Sequence, residues 1–146
     1  MQVRIDRCRL FGVVLFSLVV TTQLSAAGVL DPLQQVVASA RNDFRDIRGA
    51  KNEDGSYETT MQIELMTCHI DRADGSPLYE CTWKMSAANT EDVFKELRRE
   101  IIDLFPARNW QETVSAGRPV LRSTEAGVSI RLSIRSSGIA IMVIRL

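Results

Sequence analysis

The sequence predicts an α+β fold: a two-layer sandwich in which an antiparallel sheet of four to five strands carries two helices on one face, in the order α-β-β-α-β-β. Three observations lead to this prediction. Two segments repeat apolar residues at helical spacing, an Asp-Gly turn joins two strand-like segments, and the C-terminal end is alternately and then continuously apolar. Two amphipathic helices can both bury their apolar stripes only if both lie on the sheet.

The first helix is predicted from about Asp31 to Arg48. Its first residue can serve as an N-terminal cap, Pro32 suits the first turn, and Gly49 is a natural stop. The second helix is predicted from about Thr90 to Phe105. The apolar stripes are formed in the first helix by Leu33, Val36, Val37, Ala40, Phe44 and Ile47, and in the second by Val93, Phe94, Leu97, Ile101, Leu104 and Phe105.

Two strands, about Tyr57 to Asp71 and Leu78 to Ser86, flank the dipeptide Asp74-Gly75, which is typical of a two-residue hairpin turn. That turn places Cys68 directly opposite Cys81 in a non-hydrogen-bonded pair. Side chains approach most closely in such pairs, so the sequence predicts a disulfide; two buried free thiols are the alternative.

The same register predicts which face of the hairpin is buried. The core face contains Met66, Cys68, Ile70, Tyr79, Cys81, Trp83 and Met85, and the other face contains Thr67, His69, Asp71, Glu80, Thr82 and Lys84. Met61, Ile63 and Leu65 are apolar on the opposite parity. Either a bulge lies near Leu65 or that end of the strand is covered on both sides.

The C-terminal end is predicted to be β. Trp110–Val114 and Pro119–Ser123 are weak strand candidates, Val128–Arg135 alternates cleanly, and Ile139–Leu146 is almost continuously apolar. Residues Val128, Ile130, Leu132 and Ile134 are expected to point inward. The last strand leaves two alternatives for its outward triplet, either Ile139, Ile141 and Val143 or Ala140, Met142 and Ile144. The predicted order of elements is similar to that of several small folds, including the secretion-chaperone-like fold.

Residues 1–27 have the pattern of a cleavable export signal, namely a basic start, a short apolar run and small residues before the cut. A membrane anchor is the alternative, but a run of Leu10–Val20 is shorter than the roughly 20 residues that span a bilayer. Residues 28–146 are then one α+β domain, periplasmic or extracellular, without stable membrane insertion. Its 15 basic and 17 acidic residues leave a net charge of −2, which gives no reason to expect nucleic-acid binding.

No pattern of catalytic, metal-binding or cofactor-binding residues is present, so no cofactor and no metal are expected. His69, predicted opposite Glu80, is interpreted as a cross-strand surface pair, and a general base in an envelope enzyme is the alternative. Whether the protein is an enzyme is left open, with a non-catalytic role favoured.

Two groups of residues are candidates for partner binding. Arg41, Arg45 and Arg48 are expected to stack along one flank of the first helix. On the outer face of the last hairpin, Arg131 and Arg135 are expected beside Met142, unless the segment Trp110–Ser123 covers that face. We therefore expect a protein-binding or inhibitor-like module that acts through an open sheet face on another protein or on itself. A carrier of a small apolar ligand is the further alternative, with a pocket lined by Met61, Met66, Trp83 and Met85.

Overall fold

The computed structural model describes residues 30–146, so the predicted export signal at residues 1–27 lies outside the described residues. The helices are α1 (Asp31–Ser39), followed by a short 3-10 turn (Ala40–Asn42), and α2 (Ala87–Leu104). The strands are β1 (Arg48–Lys51), β2 (Tyr57–Thr59), β3 (Thr67–Ala73), β4 (Ser76–Lys84), β5 (Gln111–Ser115), β6 (Arg118–Glu125), β7 (Val128–Arg135) and β8 (Gly138–Arg145). All eight strands form one open antiparallel sheet in the order β1-β2-β3-β4-β8-β7-β6-β5.

The sheet consists of two halves that repeat one order of elements. The N-terminal half is α1 followed by β1 to β4, the C-terminal half is α2 followed by β5 to β8, and the last strands of the two halves pair with each other. The predicted sandwich with four to five strands in the order α-β-β-α-β-β is therefore wrong. Each helix is followed by four strands rather than two.

The strands that the prediction missed or ranked as weak are the polar ones. β1 has the sequence Arg-Gly-Ala-Lys and lies where the end of a helix and a polar turn were expected. β5 is exposed at every residue, and together with β6 it corresponds to the two weak strand candidates. β1 and β5 gain stabilisation from backbone pairing with a neighbour rather than from an apolar face, so apolar alternation does not detect them. β6 does reach the apolar core, through Leu121.

The first helix is shorter than predicted because the chain turns into left-handed backbone. α1 ends at Ser39, and Asp43 and Phe44 adopt φ angles of 54° and 57°. Phe44 is nevertheless fully buried, so the apolar stripe extends into the turn after the helix has stopped. The hydroxyl of Ser39 donates to the carboxylate of Asp46 and helps to hold the reversal. The turn directs the chain into β1.

The predicted strand from Tyr57 to Asp71 is also interrupted. The chain leaves the sheet after β2 and returns at β3, with Leu65 at a φ of 65° and Ile63 buried. The hydroxyl of Tyr79 donates to the carbonyl oxygen of Met61 at 2.9 Å and anchors this connection. Met61, Ile63 and Leu65 lie in this connection and not in a strand. Their opposite parity therefore reflects neither a bulge nor a strand that is covered on both sides.

The hairpin of β3 and β4 confirms the predicted register. Ala73 pairs with Ser76 across the Asp74-Gly75 turn, and Cys68 pairs with Cys81 at a Cα separation of 4.1 Å, where the two form a disulfide. Both helices pack on the side of the sheet that contains this disulfide. The core between them includes Leu33, Val36, Phe94, Leu97, Ile101, Tyr79, Ile130, Leu132, Ile139 and Ile141.

Candidate partner-binding face

The sheet turns one face to the helices and leaves the other uncovered within residues 30–146. All strand residues of the apolar core point to the same face of the sheet as Cys81 and Ile141, and this face packs against the helices. The residues of the other parity form what we call the open face, consisting mainly of Glu58, His69, Asp71, Leu78, Glu80, Thr82, Lys84, Ala140, Met142, Ile144, Ser129, Arg131, Ser133, Arg135, Arg118, Val120, Arg122, Thr124 and Gln111.

This assignment resolves the alternatives that the C-terminal strand left open. The triplet on the open face is Ala140, Met142 and Ile144, and Val128–Arg135 points its apolar residues to the helices as predicted. The segment Trp110–Ser123 does not cover the open face. It contains β5 and most of β6, which extend the sheet sideways instead.

One cross-strand row on the open face runs from β2 to β5. His69 pairs with Glu58 on one side and Glu80 on the other, and Met142 lies between Glu80 and Arg131. Residues directly opposite each other in antiparallel strands point to the same face. The complete row is Glu58, His69, Glu80, Met142, Arg131, Arg122 and Gln111, with acidic residues at one end and arginines at the other.

A small network of side chains fixes the centre of this face. Arg135 reaches over β8, where its Nη2 lies 2.5 Å from Glu80 Oε1 and 3.1 Å from Met142 Sδ. The contact with Glu80 has the distance of an ion pair without the angles of a hydrogen bond. His69 Nε2 lies 3.8 Å from Glu80 Oε2, so the predicted cross-strand pair is present. Glu80 is therefore held from two sides, and its side chain is only 13% exposed.

Arg131 lies on the same face with a polar atom that has no partner among the described residues. Its side chain is half-buried, and its Nε is inaccessible to solvent and makes no hydrogen bond within residues 30–146. A buried donor left without an acceptor costs about 1–3 kcal/mol. Neither Arg131 nor the exposed Arg122 forms an ion pair with any described acid. This arginine end of the row is thus free to meet an acidic group.

Short side chains surround Met142 on the open face. Ser129, Ser133 and Ala140 are 2%, 5% and 0% exposed, although no described element covers them. They are shielded by the longer side chains two residues away along the same strands and across the neighbouring ones. These short side chains form a shallow depression beside Met142, and charged side chains surround it.

The structure arranges one of the two predicted arginine groups differently: Arg45 lies 3.9 Å from the carboxylate of Asp43, and Arg48 donates to the carbonyl oxygen of Asp43 at 2.8 Å. Arg131, Arg135 and Met142 are neighbours on the open face, as described above. The predicted stack of Arg41, Arg45 and Arg48 along a helix is wrong, because α1 ends before all three. Arg48 instead lies in β1, with its guanidinium 4.4 Å from the ring centre of Tyr57.

Sequence reasoning missed the contributions of Glu80 and Arg122 to this face. Glu80 was recognised only as the neighbour of His69, because its contact with Arg135 spans β8 and depends on the pairing of β4 with β8. Arg122 lies beside Arg131 through the pairing of β6 with β7. The Ala126-Gly127 turn between those strands, with φ of 50° and 73°, was the signal that could have placed it.

The clefts of the described residues are open at the surface. One of about 360 Å³ lies between α2 and the β5–β6 edge and is crossed by an ion pair of 2.8 Å between Arg98 and Glu112. Another of about 340 Å³ lies at the outer end of the row, beside Gln111 and Arg122. The residues considered for an apolar ligand pocket line neither cleft; they are buried in the core or packed against it, namely Met61, Met66, Trp83 and Met85.

The ionisable groups with shifted pKa values near the helices have structural causes. Burial, followed by the nearby charge of Glu96, raises the pKa of Glu100 in α2. Burial lowers the pKa of Arg108, whose Nη1 donates to the carbonyl oxygen of Val128 at 3.2 Å, and Glu125 partly opposes that shift. These shifts arise on the helix side of the sheet and do not mark a reactive group on the open face.

Within residues 30–146, no three side chains of the usual metal-binding types lie close enough together to hold a metal ion. Neither α1 nor α2 combines the length and apolar character that a helix needs to cross a bilayer. No known protein family, curated protein or solved structure matches the chain. The open face and its chemistry are therefore the features of the molecule that bear on its function.

Proposed function

We propose that the protein is a small exported, non-catalytic module that binds another protein through the open face, as a binding or inhibitor-like component. The observation that carries this proposal is an uncovered sheet face in which Met142 and Ile144 are flanked by charged side chains. An exposed patch that is apolar at its centre and polar at its rim is typical of protein interfaces.

The shape and the rigidity of the face favour a protein partner. Small-molecule sites enclose most of their ligand in a concave pocket, whereas the cleft beside Gln111 and Arg122 on the open face is open at the surface. Glu80 is already engaged by Arg135 and His69. A carboxylate held in this way suits a preorganised recognition surface more than a group that must exchange protons with a substrate.

Export is proposed from two independent features. Residues 1–27 have the pattern of a secretory signal, and the Cys68–Cys81 disulfide is of the kind that persists in oxidising compartments. The proposed location is the periplasm or the exterior of the cell. N-terminal sequencing of the natural product is expected to begin near Gly28; a chain that still begins at Met1 would contradict export.

A photo-crosslinking amino acid placed at Arg122, on the exposed part of the open face, tests the binding proposal in the native cell. The matched control places the same group at Arg99, which is exposed on α2 on the other side of the sheet. We expect a discrete protein adduct from position 122 and none from position 99. The adduct should disappear when Arg131→Glu and Met142→Glu are added, provided that circular dichroism and the melting temperature stay unchanged.

Two results would overturn the proposal. One is the absence of any adduct from position 122 while the protein is present at its natural level. The other is an adduct that persists at the same yield in the Arg131→Glu, Met142→Glu background, since binding would then not depend on the open face.

A further inference from the structure

The charges of the open face are divided between the two halves of the sheet. The acidic side chains lie on β2, β3 and β4 and most of the basic ones on β6 and β7, the exception being the exposed Lys84 at the end of β4. Within residues 30–146 Glu80 contacts Arg135 and His69. The other charged groups of the face form no ion pair with any side chain of residues 30–146; these are Glu58, Asp71, Lys84, Arg118, Arg122 and Arg131. A face of this kind has an acidic and a basic end within one molecule.

The row of residues on this face has Met142 at its centre, with three strands on each side. A two-fold axis that runs along the strands at β8 would turn a second copy face to face with the first. Met142 would then oppose Met142 of the second copy. Glu80 of each copy would oppose Arg131 of the other, because both residues lie one strand away from Met142, on opposite sides of it. Because a two-fold interface is self-complementary, both ion pairs form at once.

The alternative two-fold axis, perpendicular to the strands, is excluded by charge. It would place Glu80 opposite Glu80 and Arg131 opposite Arg131, and like charges opposed across an interface weaken it. The axis along the strands also keeps the two sets of strands nearly aligned, as in sheets that pack face to face with a rotation of about 30°.

The size and relief of the face fit this arrangement. The row crosses the strands from β2 to β5, which are about 4.8 Å apart, and the residues before and after it along each strand add about 3.3 Å each. Together they cover roughly 700 Å² of the open face. Stable interfaces bury about 800 Å² per partner. The short side chains of Ser133 and Ala140 leave room beside Met142 for a side chain of the second copy.

Resting on the proposed function, we infer that the partner of the open face is a second copy of this chain, docked face to face about a two-fold axis along β8. Arg131, whose Nε has no hydrogen-bond partner within residues 30–146, then meets the acidic half of the other copy. The interface joins the acidic β2–β4 half of each copy to the basic strands β6 and β7 of its partner.

Two charge reversals test this arrangement through their mixture. Arg131→Glu alone sets two pairs of acids against each other, and Glu80→Arg alone sets two pairs of arginines against each other. We expect sedimentation equilibrium to give a dimer dissociation constant at least about tenfold higher for each variant alone. When the two variants are mixed, both contacts become acid against arginine, and the heterodimer should form with nearly the affinity of the unaltered protein. Two variants that remain monomeric when mixed would overturn the inference.

A second measurement does not depend on how Glu80→Arg affects folding. Met142→Cys places a thiol beside the proposed axis, so mild oxidation should link two copies, whereas Arg99→Cys on α2 should not. Equal cross-linking of both variants, or none at position 142, would contradict the dimer. If the unaltered protein is a monomer but the crosslinker at position 122 still captures a different protein, the self-association fails and the proposed function stands. If neither occurs, both fail.

Discussion

The two halves of the sheet share an order of elements but are stabilised differently. In the C-terminal half every connection between strands is a two-residue turn, and Ala116-Gly117 and Ala126-Gly127 have the positive φ angles of tight hairpins. In the N-terminal half only the β3–β4 turn is of this kind. The connection from β2 to β3 is seven residues long, at 60–66, and that half contains the disulfide and the Tyr79–Met61 hydrogen bond.

The difference shows where each half obtains its register. A two-residue turn determines which residues pair, so the C-terminal strands align through local backbone geometry. A long connection leaves the register open and adds to the entropy that folding must overcome. The N-terminal half compensates with contacts between residues distant in sequence. Three variants, one of them a double substitution, separate these contributions, beginning with the junction between the halves.

Gly138→Ala should have the largest effect, because it acts where β8 of one half meets β4 of the other. Gly138 has a φ of 140°, and a Cβ atom there would lie 1.9 Å from the carbonyl oxygen of Trp83. The backbone strain and the clash together should lower the free energy of unfolding by roughly 3–5 kcal/mol. Urea unfolding followed by circular dichroism measures this loss.

The control for that substitution is Gly117→Ala in the β5–β6 turn. Gly117 also has a positive φ, of 73°, but a Cβ there meets nothing within 4 Å. Its expected loss is about 1 kcal/mol, from backbone strain alone. Equal losses for the two substitutions would mean that close approach of β4 and β8 does not set the stability of the junction.

Removal of the disulfide with Cys68→Ala and Cys81→Ala should lower the free energy of unfolding by about 3 kcal/mol, as expected for a short closed loop. Reduction of the unaltered protein should give a similar loss, because it breaks the same bond without changing the side-chain volume. A loss below about 1 kcal/mol in both experiments would show that the Asp74-Gly75 turn alone maintains the N-terminal hairpin, and the contrast between the halves would disappear.

Tyr79→Phe should have the smallest effect at neutral pH, about 1 kcal/mol, from the lost hydrogen bond to Met61. Burial raises the pKa of Tyr79 above its ordinary value of 10.0, so the folded protein holds the phenolic proton more tightly than the unfolded chain. This contribution is complete below pH 10 and is lost as the pH rises further.

The pH dependence of the free energy of unfolding therefore checks the role of Tyr79. Between about pH 10 and about pH 12 the unaltered protein should lose stability, and Tyr79→Phe should lose less. Identical curves for the two proteins would mean that Tyr79 ionises with the same ease in the folded and unfolded states.

Much of the fold could be predicted where a single segment contains the whole signal. The Asp74-Gly75 turn predicted the pairing of Cys68 with Cys81, and the alternation of Val128–Arg135 predicted which of its residues face the helices. The errors arose where the backbone departs from the regular period of its segment. The left-handed residues after α1 stop a helix whose apolar stripe continues, and Leu65 does the same for a strand.

The candidate site could be predicted only in part, because only part of it is formed by strands that are adjacent in sequence. Arg131, Arg135 and Met142 could be placed on one face because β7 and β8 are joined by a short turn. The acidic end of the row lies in the other half, and Glu80 reaches it only through the pairing of β4 with β8. Fifty-three residues separate those strands in the chain, between Lys84 and Gly138, and no turn connects them.

Local patterns in the chain were enough for its α+β class, its helix stripes, its hairpin and its disulfide, since each depends on residues close together in sequence. The number of strands, the junction of the two halves and the asymmetric charge of the open face depend on which edge strands meet. That choice is made by burial of a shared apolar surface beneath both helices, a quantity that belongs to the assembled sheet and to no single segment.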